Sequence, residues 1–347
     1  MLLAPARASR AGLVLLGLIC LGHARLGLAA PRHITPAQLG VIVNSADPLS
    51  VSIGSYYAAA RHIPARNLIR VRFDGTRDDL PLAQFNRIRA AAQARAGARL
   101  QAYALTWARP YRVECMSITT AFAFGFDRRF CASGCQPTLQ SPYFNSASAA
   151  PYTDLHLRPA MSIAALDLDS ARSLIDRGVA ADGSQPHGTA YLAVGDDPAR
   201  SVRSVEYYRI GSDVRRGVDI QIVRGTTVHD RNDVMFYFIG ALAVPDLTSN
   251  RFLPGAMADH LTSFGGMLTD STGQMSSLRW LEAGATGSYG TVVEPCNLLG
   301  KFPNVGLAMS HYLAGETLIE AYWKSVAMPG QGLFIGEPLA APFRRSE

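Results

Sequence analysis

Lysine is nearly absent from this chain: Lys301 and Lys324 are the only two among 347 residues, and arginine supplies the other 31 basic side chains. Those arginines are scattered and no stripe interleaves them with aromatics, which excludes the electrostatic footprint of a nucleic-acid-binding protein. Beyond residue 30 no run approaches eighteen uninterrupted apolar residues, so no membrane span is expected in the mature chain. Neither GxGxxG nor GxxxxGK followed by Ser or Thr occurs, which removes the dinucleotide and P-loop fingerprints. The carboxylates at 167, 169, 196 and 197 follow no metal-loop spacing. The cysteines have no second pair or nearby histidine pair to complete a zinc site. No cofactor and no metal are expected.

What is present begins with an export signature. Arg7 and Arg10 form a positive n-region, AGLVLLGLICLG (11–22) is a twelve-residue apolar core, and GLAA (27–30) offers small residues for cleavage. Residues 1–29 read as a signal peptide, because a cut after Ala30 would leave Pro31 leading; a retained anchor is the alternative. Ile19 stands before Cys20 where a lipobox needs a small residue, which excludes a lipoprotein. Loss of Arg7, Arg10 and Arg25 lowers the formal charge from +6 to +3. The expected location is periplasmic or extracellular, where the four remaining cysteines favour disulfides. Cys131 and Cys135, four apart around Gly134, are expected to bond to each other.

From residue 38 onward, apolar runs alternate with helical segments. LGVIVNS (39–45), LIRVRF (68–73), LQAYALTW (100–107), MSIAALDL (161–168), GTAYLAV (188–194), VDIQIVRG (218–225) and DVMFYFIGA (233–241) read as strands. Helices are expected at 48–61, 83–98, 169–178 (with Asp169 as N-cap) and 201–210. Such alternation predicts an α/β fold, a three-layer sandwich around a mostly parallel sheet. Residues 127–159, rich in Pro, Ser and Asn, interrupt it and read as a long ordered excursion, a flap beside the site. Residues 30–347 are taken as one domain, with a subdomain division near 160 as the alternative.

Ligands of open α/β sheets gather outside the carboxyl ends of the strands. That rule selects Asn44 and Asp47 after the first strand, Arg109 and Tyr111 after the third, Asp196 and Asp197 after GTAYLAV, and Glu294 after GSYGTVV. Helix capping is the competing role for the aspartates. WARPYR (107–112), with Trp280 and Tyr289, is a candidate aromatic, arginine-bearing pocket for sugars or peptides.

The most recognisable order lies near the C-terminus: GATGSYGTVVEP (284–295), LAGETLIEAYWKSV (313–326) and GEPLAAPF (336–343). It resembles the closing segment of the gingipain-type cysteine peptidases, relatives of the caspases, and is closer still to a family of exported bacterial proteins of unknown activity. The likeness spans roughly residues 38–343, at motif level only over about the last sixty, and implies a caspase- or gingipain-like second half. In that pattern a His-Gly ends one central strand and a Cys ends the next, so that imidazole and thiol meet. Here Ile239-Gly240 occupies the first position and the DHLTSFGGML segment (259–268) offers Ser263 in place of the Cys, while His187-Gly188 precedes a strand. The expectation is an exported protein without the usual His–Cys dyad that binds a peptide, glycan or envelope partner. The alternative is a hydrolase using Cys296 or Ser263 with His260, the imidazole oriented by Asp259 or Glu294, in a segment whose double glycine admits a ligand.

Overall fold

The alternating segments close into one ten-stranded sheet in a computed structural model of the chain, which describes Met1, Leu2, Ala4 and residues 33–345 except 133, 226 and 270–272. β1 (Leu39–Asn44), α1 (Pro48–Ala60), β2 (Leu68–Val71), α2 (Leu82–Ala96) and β3 (Ala102–Leu105) come first. A small hairpin, β4 (Arg112–Val113) and β5 (Met116–Ser117), leads to α3 (Ile118–Phe124), α4 (Pro151–Leu155), β6 (Ala160–Ser162) and α5 (Leu168–Ala181). Then follow β7 (Thr189–Val194), a 3-10 helix (Ser201–Arg209), α6 (Ser212–Gly217), β8 (Asp219–Arg224), β9 (Val234–Gly240) and β10 (Phe252–Leu261). α7 (Leu278–Glu282), β11 (Gly287–Thr291), α8 (Val305–Leu313), α9 (Leu318–Ser325) and β12 (Gly332–Gly336) complete the chain.

The strand order is β2-β1-β3-β6-β12-β11-β10-β9-β7-β8. β1, β2, β3 and β6 pair in parallel, as do β7 to β11. β12 joins the two blocks, antiparallel to β11 and touching β6 through the single pair Ile335–Ser162. The loops after β3 and β10 meet where Arg109 Nε donates to Thr269 Oγ1 at 3.0 Å, so both blocks present their strand ends to one edge. One face is covered by α1, α5 and α7, with Trp280 edge-on to Tyr237. The other carries α2, α3, α8, α9 and the 3-10 helix, with Trp323 stacked 4.4 Å from Phe334 and Phe124 beside it. This is a three-layer α/β sandwich, as the alternation predicts.

Local departures from the sequence reading have physical causes. β10 is a full strand hidden in the sequence by Pro254-Gly255, where the register with β9 shifts between Phe252 and Met257. Gly255 adopts φ +89°, and a Cβ there would lie 2.9 Å from Pro342. MSIAALDL keeps only its first residues in β6. Asp167, not Asp169, caps α5, accepting from Ser170 N at 2.8 Å. Within LAGETLIEAYWKSV (313–326), Gly315 at φ +92° follows the end of α8 and the Thr317–Glu320 capping box starts α9.

The excursion at 127–159 packs onto α9 and its flank: Ser141 N donates to Ala327 O, Asn145 N to Lys324 O, and Gln331 Nε2 to Phe130 O. The expected Cys131–Cys135 bond is not formed. Cys131 pairs with Cys115, Cα to Cα 5.5 Å, and Cys135 with Cys296 at 5.4 Å. Phe130, buried in the core, holds Cys131 beside the β4–β5 hairpin, while Gly134 at φ +65° carries Cys135 on to the loop after β11. Among the described residues no helix is long and apolar enough to cross a membrane. The signal-peptide reading falls almost wholly on residues outside those described.

Candidate functional site

At the strand-end edge, the loops after β7, β10 and β11 enclose a cavity of about 340 Å³, lined among others by Cys135, Arg200, Ser263, Glu294, Cys296 and Phe302. Each wall has a local cause. Asp197 turns the chain after β7: its Oδ1 accepts from Ala199 N (2.9 Å) and Arg200 N (3.2 Å), and its Oδ2 pairs with Arg200 Nη1. Hydrogen bonding from Arg200 holds the Asp197 carboxyl below the usual carboxylate range. Arg200 Nε donates to Thr262 Oγ1 at 3.2 Å, so the guanidinium is fixed at the mouth. On the third wall, Glu294 Oε1 accepts from Cys296 N at 2.7 Å, closing a tight turn in which Cys296 has φ +53°.

Glycines let these walls close. A Cβ on Gly240 would stand 2.0 Å from the Arg200 carbonyl oxygen, and one on Gly195 would stand 2.3 Å from Gly240 O. The entry to the 3-10 helix therefore lies directly on the end of β9. The double glycine of TSFGG serves a similar purpose: Gly266 N donates to Thr291 O at 2.9 Å, and a Cβ on Gly290 would meet Gly265 at 2.4 Å. The close approach expected there is to β11 backbone and not to a ligand.

Of the sequence-selected residues, Ser263, Glu294 and Cys296 meet at this cavity. The dyad proposed from them does not form. Cys296 is disulfide-bonded to Cys135 and has no thiolate to offer. His260 is buried on β10 with both ring nitrogens engaged: Nδ1 accepts from Trp280 Nε1 at 2.9 Å, which leaves Nε2 to donate to Met275 O at 3.0 Å. Burial pulls its pKa down to about 4. Asp259 cannot orient it, because neighbouring residues of a strand face opposite ways. Asp259 points into the other layer and pairs with the buried Arg203 at 2.6 Å.

The remaining candidates hold the scaffold. Asn44 is buried, its Nδ2 donating to Phe73 O and its Oδ1 accepting from Phe73 N and Ala46 N. Asp47 caps α1 through Leu49 N. Arg109 pairs with Asp78 at 2.9 Å. Tyr111, Trp280 and Tyr289 are all buried, and Trp280 and Tyr289 belong to opposite layers, beside Tyr237 and Phe334, so the aromatic pocket does not form. Asp196 is exposed beside the cavity without lining it. Arg200 escaped the sequence reading, although its place in the DDPAR turn after a strand was the available signal. Among the described residues no cluster of three or more His, Cys, Asp or Glu could hold a metal ion.

No protein-family model matches the chain, and no curated protein matches it. Among solved structures, a chain described as "Structure of Protease" is similar, with 11% identity and a TM-score of 0.45 over 90% of this chain and 80% of that one.

Proposed function

We propose that the mature protein, a single α/β domain of the gingipain- and caspase-like kind, is exported and binds an extended peptide of an envelope or secreted partner without cleaving it. The observation that carries this reading is the Cys135–Cys296 disulfide in the wall of the strand-end cavity, which ties up the candidate thiol of Cys296, while Ser263 stands where the peptidase pattern has its cysteine. Ile239 stands at the end of β9, and the buried His260 has both ring nitrogens in hydrogen bonds, which leaves neither free to take a proton from a nucleophile. Function follows the site and not the fold. Arg200 and Glu294 give the cavity one fixed charge of each sign, which suits a peptide backbone with charged side chains. A glycan platform would need exposed aromatics, and Phe302, the aromatic in the wall, is buried. Two disulfides fit an oxidising compartment.

The test uses protein recovered from the periplasm or medium, whose intact mass should begin at Ala30 or Pro31. It should turn over no arginyl, lysyl or aspartyl peptide substrate and should carry no thiol probe at Cys296. Immobilised peptide libraries should yield ligands that Arg200→Ala and Glu294→Ala each weaken by about tenfold, the loss of one charge-assisted contact. Robust cleavage abolished by Ser263→Ala would replace this reading with a serine hydrolase.

A further inference from the structure

A second concavity lies away from that cavity, between α5 and α7. It encloses about 280 Å³, with apolar walls from Ala164, Ala165, Leu174, Leu278 and Leu281, and with Arg177 among its lining side chains. Arg177 is held rigidly: Nε donates to Ala285 O at 3.1 Å, and Nη2 donates to Leu281 O and Ala285 O, each at 2.7 Å. These acceptors are neutral carbonyls at the end of α7. No carboxylate among the described residues pairs with Arg177, and its Nη1 makes no hydrogen bond among them. Burial alone lowers its pKa to about 10. The groove's two acids are occupied elsewhere. Glu282 is bonded to Arg279 at 2.5 Å, and the Asp169 side chain is 94% exposed, 3.8 Å from Arg172.

A half-buried guanidinium without a counter-charge is unfavourable unless something supplies one. The donors left over are the two N–H groups on Nη1, which can donate to a carboxylate oxygen. Around it one wall is aliphatic, Asp169, Ser170, Ser173 and Glu282 add polar groups to the lining, and the volume suits a small molecule. Binding pockets combine apolar lining with a small number of placed polar groups. We propose that this groove binds a short aliphatic monocarboxylate, its carboxylate on Arg177 and its tail between Leu174, Leu278 and Leu281. The site is independent of the strand-end cavity, because no residue is common to the two linings.

The experiment titrates sodium valerate into the mature protein, followed by saturation-transfer NMR and calorimetry, with 1-pentanol and inorganic phosphate as comparators. Valerate should bind saturably, and pentanol and phosphate at least tenfold more weakly. Arg177→Met should lower valerate affinity by at least tenfold. Because Arg177 also ties down α7, a second variant is needed that leaves it alone: Ser173→Trp, from the exposed rim, fills the groove and should lose valerate equally. Peptide capture at the strand-end cavity serves as the folding control and should persist in both variants. Absence of saturable valerate binding, phosphate or pentanol binding as tight as valerate, or full affinity in Ser173→Trp each overturns the proposal.

Discussion

The two edges of the sheet are built in opposite ways. At the edge where the parallel strands begin, carboxyl groups are buried and hydrogen-bonded. Glu337, just past β12, accepts from Tyr57 Oη at 2.7 Å and Arg61 Nε at 3.0 Å, and Arg61 also pairs with Asp182 at 2.5 Å. Glu320 accepts from Thr317 N (3.0 Å), Thr317 Oγ1 (2.5 Å) and Ile34 N (3.1 Å), which ties the N-terminal segment to α9. At the other edge Arg200, Ser263 and Glu294 surround an open cavity. The motifs that make the C-terminal third recognisable, GETLIEA and GEPL, supply Glu320 and Glu337. They are fingerprints of the scaffold edge, whereas the cavity edge receives from the recognisable order the Glu294-Pro295 end of GATGSYGTVVEP.

The sharpest way to break this contrast is to remove Glu337. Glu337→Ala leaves the buried Arg61 guanidinium with Asp182 alone and Tyr57 Oη without its acceptor, and should cost about 3–5 kcal/mol in denaturant unfolding. The accommodation is tight on both sides, since a Cβ on Gly178 would lie 2.5 Å from Glu337 Cγ. A loss under about 1 kcal/mol would show that the two edges do not differ in the way described.

The disulfides come next. Non-reducing peptide maps should return Cys115 with Cys131 and Cys135 with Cys296. Replacing Cys135 and Cys296 together by serine should cost about 2–4 kcal/mol, because that bond closes a long loop across the fold. A map returning Cys131 with Cys135 would detach the excursion from the cavity wall.

These two cases mark what the sequence made legible. Layer order, most strands and the capping role of Asp47 follow from local patterns that short segments carry. The cysteine pairing depends on where Phe130 docks and how Gly134 turns, which spacing alone does not encode. β10 was hidden because its first half holds Pro254-Gly255 and its second half holds Asp259 and His260. Those two look like surface polar residues until their partners, Arg203 and Trp280, arrive from different layers. The cavity combines four separate stretches of the chain, around residues 135, 200, 263 and 295, so only Glu294, Ser263 and Cys296 were found, and Arg200 was not.

A pH experiment separates the two edges with opposite signs. His260, with a folded pKa near 4 against 6.5, contributes stability that is complete above pH 6.5 and lost as pH falls toward 4. Glu320, raised to about 7 from 4.5 chiefly by burial, contributes stability that is complete below pH 4.5 and lost as pH rises toward 7. Each effect is on the order of 2–3 kcal/mol, so between pH 4.5 and 6.5 they nearly cancel. Glu320→Gln should make stability rise with pH through that window, and His260→Gln should make it fall. Denaturant midpoints that move in the same direction in both variants would sink the assignment.

The smallest stability effect is expected at the cavity, and it is the one that carries the functional argument. Arg200 is about a quarter exposed and its partner Asp197 more so, and such ion pairs contribute roughly 0–1 kcal/mol. Arg200→Ala should therefore move the unfolding midpoint by no more than that, and Glu294→Ala, at an exposed turn, should do the same. A scaffold residue loses binding only by unfolding, so its affinity and stability fall together. A ligand-binding residue loses affinity while stability stays. Peptide affinity down about tenfold in Arg200→Ala, at an unchanged midpoint, would place Arg200 in the second class. If affinity survives intact, or if stability drops as far as it does in Glu337→Ala, the strand-end edge is scaffold as well and the comparison between the two edges fails.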